Sequence, residues 1–341
     1  MRFAGIDPGT SSYEIFILED SEPHDRIEIE TSAVREDPES VKKIFADLEV
    51  DVYAGLSGYG LPFKRFSELD EKDIFLMTLN KDEEKAIGMR SLIDVAIKLD
   101  LEIYTIPAVI HLPTVPEYRK INKIDMGTAD KLCSVVLALY SCEDVGTADF
   151  ILVESGYGFN AFISVSRGKI IDGLGGSSSF PAFSSLGAMD GELAYLLGDF
   201  PKRLLFSGGI KSYLHDMGIQ VNSISEMPED SLVWLAEYLL KGVRAVNVQN
   251  TDRILMSGRN FLNSRFRKIF VEMAEDFTCE RLEGFGISKQ SAEGAAIIAN
   301  GIAGGEYKHL VTHLELDKAS GSVLDYITSD IRRHLNLQKY F

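Results

Sequence analysis

Cysteine is scarce: Cys133, Cys142 and Cys279 are the three in 341 residues, with no CxxC spacing among them. An odd, scattered set argues against a disulfide framework or a zinc site and favours a reducing, cytoplasmic setting. Positive charge is also short. Lys and Arg total 35 against 52 Asp and Glu, a formal charge of −17. Such a surface repels nucleic-acid phosphates and anionic lipid, so neither is expected as a partner. No apolar run reaches the roughly 18–20 residues of a membrane span, and no basic, signal-like start precedes the first apolar segment. What remains is globular: 45% hydrophobic and 26% charged residues, enough for one large core or two ordinary ones.

Strand and helix patterns alternate along the chain. Residues 3–6 and 13–19 read as strands around the turn Asp-Pro-Gly-Thr-Ser-Ser, residues 7–12, and 26–31 extends that sheet. Residues 40–48 and 82–99 have helical spacing, and 51–56 and 102–106 read as strands. Pro107, Pro113 and Pro116 punctuate a loop read as an active-site flap. A helix follows over 128–140, opened by Thr128. Residues 149–154 and 161–166 then repeat the strand–turn–strand pattern around Ser-Gly-Tyr-Gly-Phe-Asn. That echo predicts an internal duplication, with domains over 1–145 and 146–341. In the second half, helices are predicted over 231–249, from 260 to about 276, and over 291–302. A terminal helix over 316–335 is expected to be able to pack back on the first domain.

Each motif has an ordinary reading beside a chemical one. The first turn is a plain hairpin turn, or a loop whose backbone N–H groups surround an anionic oxygen. In the second reading Asp7 closes the strand where it could hold Mg²⁺. Gly156, Gly158 and Ala161 match a dinucleotide fingerprint, but a strand rather than a helix follows, so that reading is rejected. Ser257-Gly258-Arg259 sits between a strand and a helix: a plain connection, or one where glycine lets a flat ring approach. The tract from Ser291 to Gly305 is a close-packing helix in which Glu293 could face a metal or nucleotide. Gly-Gly-Ile-Lys-Ser at 208–212 lacks P-loop spacing, and His309 and His313 lack the Glu of an HExxH helix.

The order of these motifs resembles the acetate and sugar kinase–Hsc70–actin superfamily. The opening Ile6-Asp7-Pro8-Gly9-Thr10-Ser11-Ser12 and the tract from Ser291 to Tyr307 are similar to carboxylate kinases of the acetate and butyrate type. The nearest family by resemblance is an archaeal group of uncharacterised proteins described as predicted butyrate kinases, DUF1464. The resemblance implies an α/β fold of two duplicated RNase H-like, actin-like ATPase domains with a nucleotide cleft between them. It implies ATP and Mg²⁺ as cofactors, a small-molecule acceptor and a possible homodimer. By the same resemblance, Asp7, Gly9, Thr10, Ser11 and Ser12 form phosphate loop one. Glu154, Gly156, Gly158 and Asn160 form phosphate loop two, and Ser257, Gly258 and Arg259 border adenosine. Asp7 and Glu154 would hold the metal. The chain departs from carboxylate kinases where they carry His-x-Gly, here Glu154-Ser155-Gly156, and at Met189, which stands where they have arginine.

The acceptor decides the remaining chemistry. A carboxylate needs nearby positive charge, for which Lys64, Arg65 or Arg90 are candidates. A hydroxyl needs a general base, and Asp130 stands where the sugar kinases of the superfamily place theirs. Phosphate transfer to a short-chain fatty acid is the leading expectation. A sugar kinase, or a nucleotide-gated binding protein of the actin or Hsc70 kind, is the alternative.

Overall fold

The computed structural model describes residues 1–9, 12–31, 36, 38–55, 57–81, 87–335 and 337. Its chain divides into two compact units. The first comprises residues 1–124, 128–145 and 283–341, and the second residues 125–127 and 146–282. The stretch after residue 282, assigned by sequence to the second domain, therefore clusters with the first unit.

The first unit is built on a five-stranded sheet of β1 (Arg2–Pro8), β2 (Ser12–Glu19), β3 (Glu22–Glu30), β4 (Val52–Gly55) and β5 (Ile103–Tyr104), in the order β3-β2-β1-β4-β5. β1–β2 and β2–β3 pair antiparallel, whereas β1–β4 and β4–β5 pair parallel. Helices α1 (Pro38–Asp47), α2 (Ile87–Lys98), α3 (Ala129–Tyr140) and α6 (Gln290–Ile302) belong to this unit. The apolar, β-branched run of β2 is buried from Ile15 to Leu18 at 2% exposure or less, as a central strand covered on both faces requires. The small residues of α6 have a direct use. A Cβ on Gly5 would overlap the Ala292 carbonyl, and one on Gly294 the Cys133 carbonyl, so α6 lies flush on β1 and α3.

The second unit repeats the plan. Its strands β6 (Phe150–Ser155), β7 (Asn160–Ser166), β8 (Lys169–Leu174), β9 (Arg253–Ser257) and β10 (Thr278–Arg281) are ordered β10-β9-β6-β7-β8. Numbered from the start of each sheet, both orders read third, second, first, fourth, fifth. The pairings match as well: two antiparallel, then two parallel. Helices α4 (Glu229–Val246) and α5 (Ser264–Met273) pack Leu232, Leu235, Leu239, Val243, Phe266 and Phe270 into one core with Ile151, Val153 and Phe162 of this sheet.

Two sequence expectations give way. Residues 107–116 are no flap: Ala108, Val109, Ile110, His111, Leu112 and Val115 are all 3% exposed or less. Their apolar side chains outweigh the three prolines, which shape a buried loop. The stretch 316–335 is not one helix either. A 3-10 turn over Leu316–Lys318 gives way at Gly321, whose φ is 77°, and helix resumes only at Ser329–Arg332. Asp325 accepts from Ser322 N–H at 2.7 Å and from Ser322 Oγ at 2.8 Å, replacing helical hydrogen bonds with a local turn. Among the described residues, no helix is long and apolar enough to cross a membrane.

Candidate functional site

Asp7 is the next-to-last residue of β1, two positions after Gly5, on which α6 lies. It pairs across the hairpin with Glu14, and Pro8 with Tyr13 makes the last pair before the turn. Both carboxylates are buried, Asp7 at 8% and Glu14 at 4% exposure. Like charges placed directly opposite destabilise a hairpin unless something compensates. Here Glu14 accepts from Ser288 Oγ at 2.7 Å and from the Lys289 N–H at 2.9 Å, and pairs with Arg26 at 3.2 Å. Burial works to raise the Glu14 pKa, but these donors and the Lys289 and Arg26 charges outweigh it and hold the carboxyl below its ordinary range. Lys289 Nζ also lies 3.4 Å from Asp7 Oδ2. Gly9 and Ser12 flank the turn, with Ser12 buried at its end. Thr10 and Ser11, assigned to the phosphate loop, lie outside the described residues.

The second hairpin is laid out the same way. Glu154 pairs with Ala161, and Ser155 with Asn160 closes the ladder before the turn. Glu154 therefore occupies the position of Asp7: one pair before the turn, on the first strand of its sheet. Within the turn, Gly156 N–H donates to the Phe159 carbonyl at 3.0 Å. The N–H groups of Tyr157, Gly158 and Phe159 have no acceptor among the described residues, and a Cβ on Gly158 would meet open space.

The Ser257–Asn260 segment is bolted to this turn. Gly258 has φ 93° and lies so close to the Ser155 backbone that a side chain would collide with it. Buried Asn260 donates from Nδ2 to the Gly156 carbonyl at 2.7 Å and to Ser155 Oγ at 3.0 Å. Ser155 Oγ in turn donates to Asn160 Oδ1 at 2.8 Å. Ser257 is buried at the end of β9, and Arg259 is exposed. Ser185 donates its N–H to the Gly158 carbonyl at 3.1 Å, while its own fully buried hydroxyl has no partner. A groove of about 490 Å³ lies along α5, lined by Met256, Arg267, Lys268, Val271, Cys279 and Arg281 among others; it does not include the Ser257–Arg259 segment.

Asp130 stands in the first turn of α3. Its carboxylate accepts from the Thr128 hydroxyl and pairs with Lys131. Burial opposes its charge, but Lys131 and Thr128 outweigh that and hold its pKa below the usual range. Asp130 and Asp7 both act on the buried Cys133 thiol, whose pKa is driven well up, first by burial and then by these two charges. Asp7, Asp130 and Lys289 are therefore brought to one region of the first unit.

Arg65 is not brought there. It bridges to Tyr104 at the outer strand and pairs with Glu102, three strand spacings, or about 14 Å, from β1. Lys64 is taken by Asp73 at 2.5 Å. Glu293 is 1% exposed and turns inward, accepting the N–H groups of Phe285, Ile287 and Ser288 at 2.8–2.9 Å. It fastens the loop before α6 rather than facing a ligand.

Sequence reading missed Ser155, Asn260, Glu14 and Lys289. Asn260 carried one signal, as a polar residue after Ser-Gly-Arg in an otherwise apolar segment. Lys289 carried none, because its partner Ser12 lies 277 positions away.

Mg²⁺ favours one or two carboxylates completed by water and phosphate oxygens over an all-protein cage. Among the described residues no cluster of three or more His, Cys, Asp or Glu forms a metal site. Within each unit taken by itself, one hard carboxylate one pair before the turn fits that preference, and the open N–H groups at 157–159 fit a phosphate.

A family model described as "Protein of unknown function (DUF1464)" matches residues 5–329. No curated protein matches the chain. Among solved structures, acetate kinase from Entamoeba histolytica is 13% identical, covering 81% of this chain and 87% of that one, with a TM-score of 0.54. That likeness establishes the fold as the two-domain α/β architecture of acetate kinase and the actin-like ATPases. The ROK hexokinase from Thermus thermophilus is more distant in shape: 10% identity, 89% and 100% coverage, TM-score 0.47.

Proposed function

The chain belongs to the DUF1464 family, and from that premise we propose that it binds ATP with Mg²⁺ and transfers the terminal phosphoryl group to a small carboxylic acid. One observation carries the reading: two topologically equivalent hairpins, each with a carboxylate one pair before a glycine-containing turn. A chance polar turn explains either hairpin alone, but not the same arrangement at the same place in both sheets.

Phosphoryl transfer asks for positioning and charge rather than covalent chemistry. The N–H groups of Tyr157, Gly158 and Phe159 in the second turn would hold phosphate oxygens as a small anion nest. Asn260 keeps that turn in register with Gly258, beside which the adenine would lie. Asp7 would hold Mg²⁺ in the first unit, where it supplies charge neutralisation on the phosphates when bound, and Glu154 is the equivalent carboxylate of the second unit.

The Asp130–Lys131 pair favours a carboxylate acceptor. A general base works best with a pKa near the operating pH. Asp130 is shifted the other way and sits against an ammonium group. A carboxylate acceptor needs no base and gains from nearby positive charge.

Calorimetric titration with Mg–ATP and Mg–ADP tests the nucleotide reading. Binding that Asp7→Ala abolishes supports it, and no binding by the intact protein would sink it. A screen of short fatty acids and sugars then tests the acceptor. Asp130→Asn should lower turnover less than about tenfold with a carboxylate, whereas a loss of several orders of magnitude would mark a hydroxyl kinase.

A further inference from the structure

The first turn contains its own cation. Lys289 precedes α6, and its ammonium group lies in the crook of the β1–β2 hairpin. Nζ donates to the Ser12 carbonyl at 2.7 Å, with Ser12 Oγ at 3.4 Å, Asp7 Oδ2 at 3.4 Å and Glu14 Oε1 at 3.7 Å. A Cβ on Gly9 would overlap it, so the ammonium lies close against the Gly9 backbone.

Two cations serve the facing carboxylates at this corner: Lys289 lies near both Asp7 and Glu14, and Arg26 is shared between Glu14 at 3.2 Å and the more exposed Glu28 at 2.8 Å. Removing Lys289 would take away the positive charge 3.4 Å from Asp7, making this corner more repellent to phosphate and more attractive to divalent metal.

We propose that Lys289 is a built-in counter-cation of the first turn. It offsets Asp7 so that phosphate can approach, and it competes with a divalent ion for the Asp7 oxygens. Its ammonium is engaged by Ser12 and Asp7, so it is a positioning residue acting through them. The phosphate half of the proposal rests on the nucleotide reading above; the competition with metal does not.

Lys289→Gln separates charge from hydrogen bonding, since glutamine keeps a donor for the Ser12 carbonyl. ADP binding by the full chain would be measured calorimetrically in EDTA and in Mg²⁺. Free Mn²⁺ would be followed by electron paramagnetic resonance without nucleotide. Lys289→Gln should weaken metal-free ADP at least tenfold and Mg–ADP less than about threefold, and bind Mn²⁺ about tenfold tighter. Lys289→Arg, which keeps the charge, should recover part of the metal-free affinity. Equal losses in both buffers with unchanged Mn²⁺ affinity would overturn the proposal. If the wild-type chain binds no nucleotide in either buffer, the kinase reading fails on its own. The Mn²⁺ comparison then decides Lys289 alone, unchanged affinity overturning it. Should Lys289→Gln lack a cooperative thermal transition, Lys289→Met is measured the same way. If neither variant folds, the wild-type chain decides: ADP binding in EDTA within about tenfold of that in Mg²⁺ supports the proposal, and binding seen only with Mg²⁺ overturns it.

Discussion

At the scale of the residue, buried polar atoms set the largest stakes. Asn260 joins the 156–159 turn to the Gly258 segment through two hydrogen bonds. Asn260→Ala would leave the Gly156 carbonyl and Ser155 Oγ without that donor, a loss of about 1–3 kcal/mol. We expect a fall in Tm of roughly 3–10 °C by calorimetry and at least tenfold weaker ADP binding. His111 makes a different demand. It is 2% exposed, Nδ1 accepts from the Ala108 N–H at 3.1 Å, and Nε2 has no partner among the described residues. Burial pushes its pKa down from 6.5 to about 4. The unfolded chain therefore binds the proton first, and stability present above pH 6.5 is lost as pH falls toward 4, by up to about 3 kcal/mol. Denaturant midpoints taken between pH 7 and 4 should fall accordingly, and His111→Phe should flatten that slope. None of these roles was legible in the sequence. A lone histidine or asparagine does not reveal its burial until distant segments close over it.

At the scale of the element, local pattern carried far. Both hairpins announced themselves by apolar runs around glycine-containing polar turns, because strand alternation and turn chemistry are set by near neighbours. α6 was legible from its alanines and glycines, though not which surfaces it would meet. Gly258 shows the limit in the other direction. Its motif was read as room for a ligand, whereas the structure also requires it for contact with Ser155. Gly258→Ala would be strained at φ 93° and would collide with that backbone. We expect more than about 2 kcal/mol of destabilisation in urea melts. Gly191→Ala, at the first position of a helix with nothing within 4 Å, should change stability by less than about 1 kcal/mol.

At the scale of the whole molecule, the duplication was visible as a repeated strand–turn–strand and is fulfilled as two sheets of one topology. The assignment of the last part of the chain was visible only in part: the terminal stretch 316–335 was expected to be able to pack back on the first domain, but residues 283–315 were not. Residues 283–341 cluster with the first unit, and α6 lies on β1 through Gly5. Those contacts join segments far apart in sequence, which no local pattern encodes. A chain ending at residue 282 should therefore lose the first unit, exposing β1 and β2, while the second keeps its α4–α5 core. Limited proteolysis followed by mass spectrometry should show rapid cuts within residues 1–145 and a protected fragment starting near 146. Equal protection of both would contradict the division.

This division also bears on synthesis. The second unit is an insertion in the first, so on the ribosome β1 and β2 emerge long before α6, which covers them. At about 5–20 residues per second, that interval is roughly 15–60 s. During it, the nascent first sheet carries Ile15, Phe16, Ile17 and Leu18 without the helix that finally shields β1, and this is the interval in which a chaperone would have most to hold.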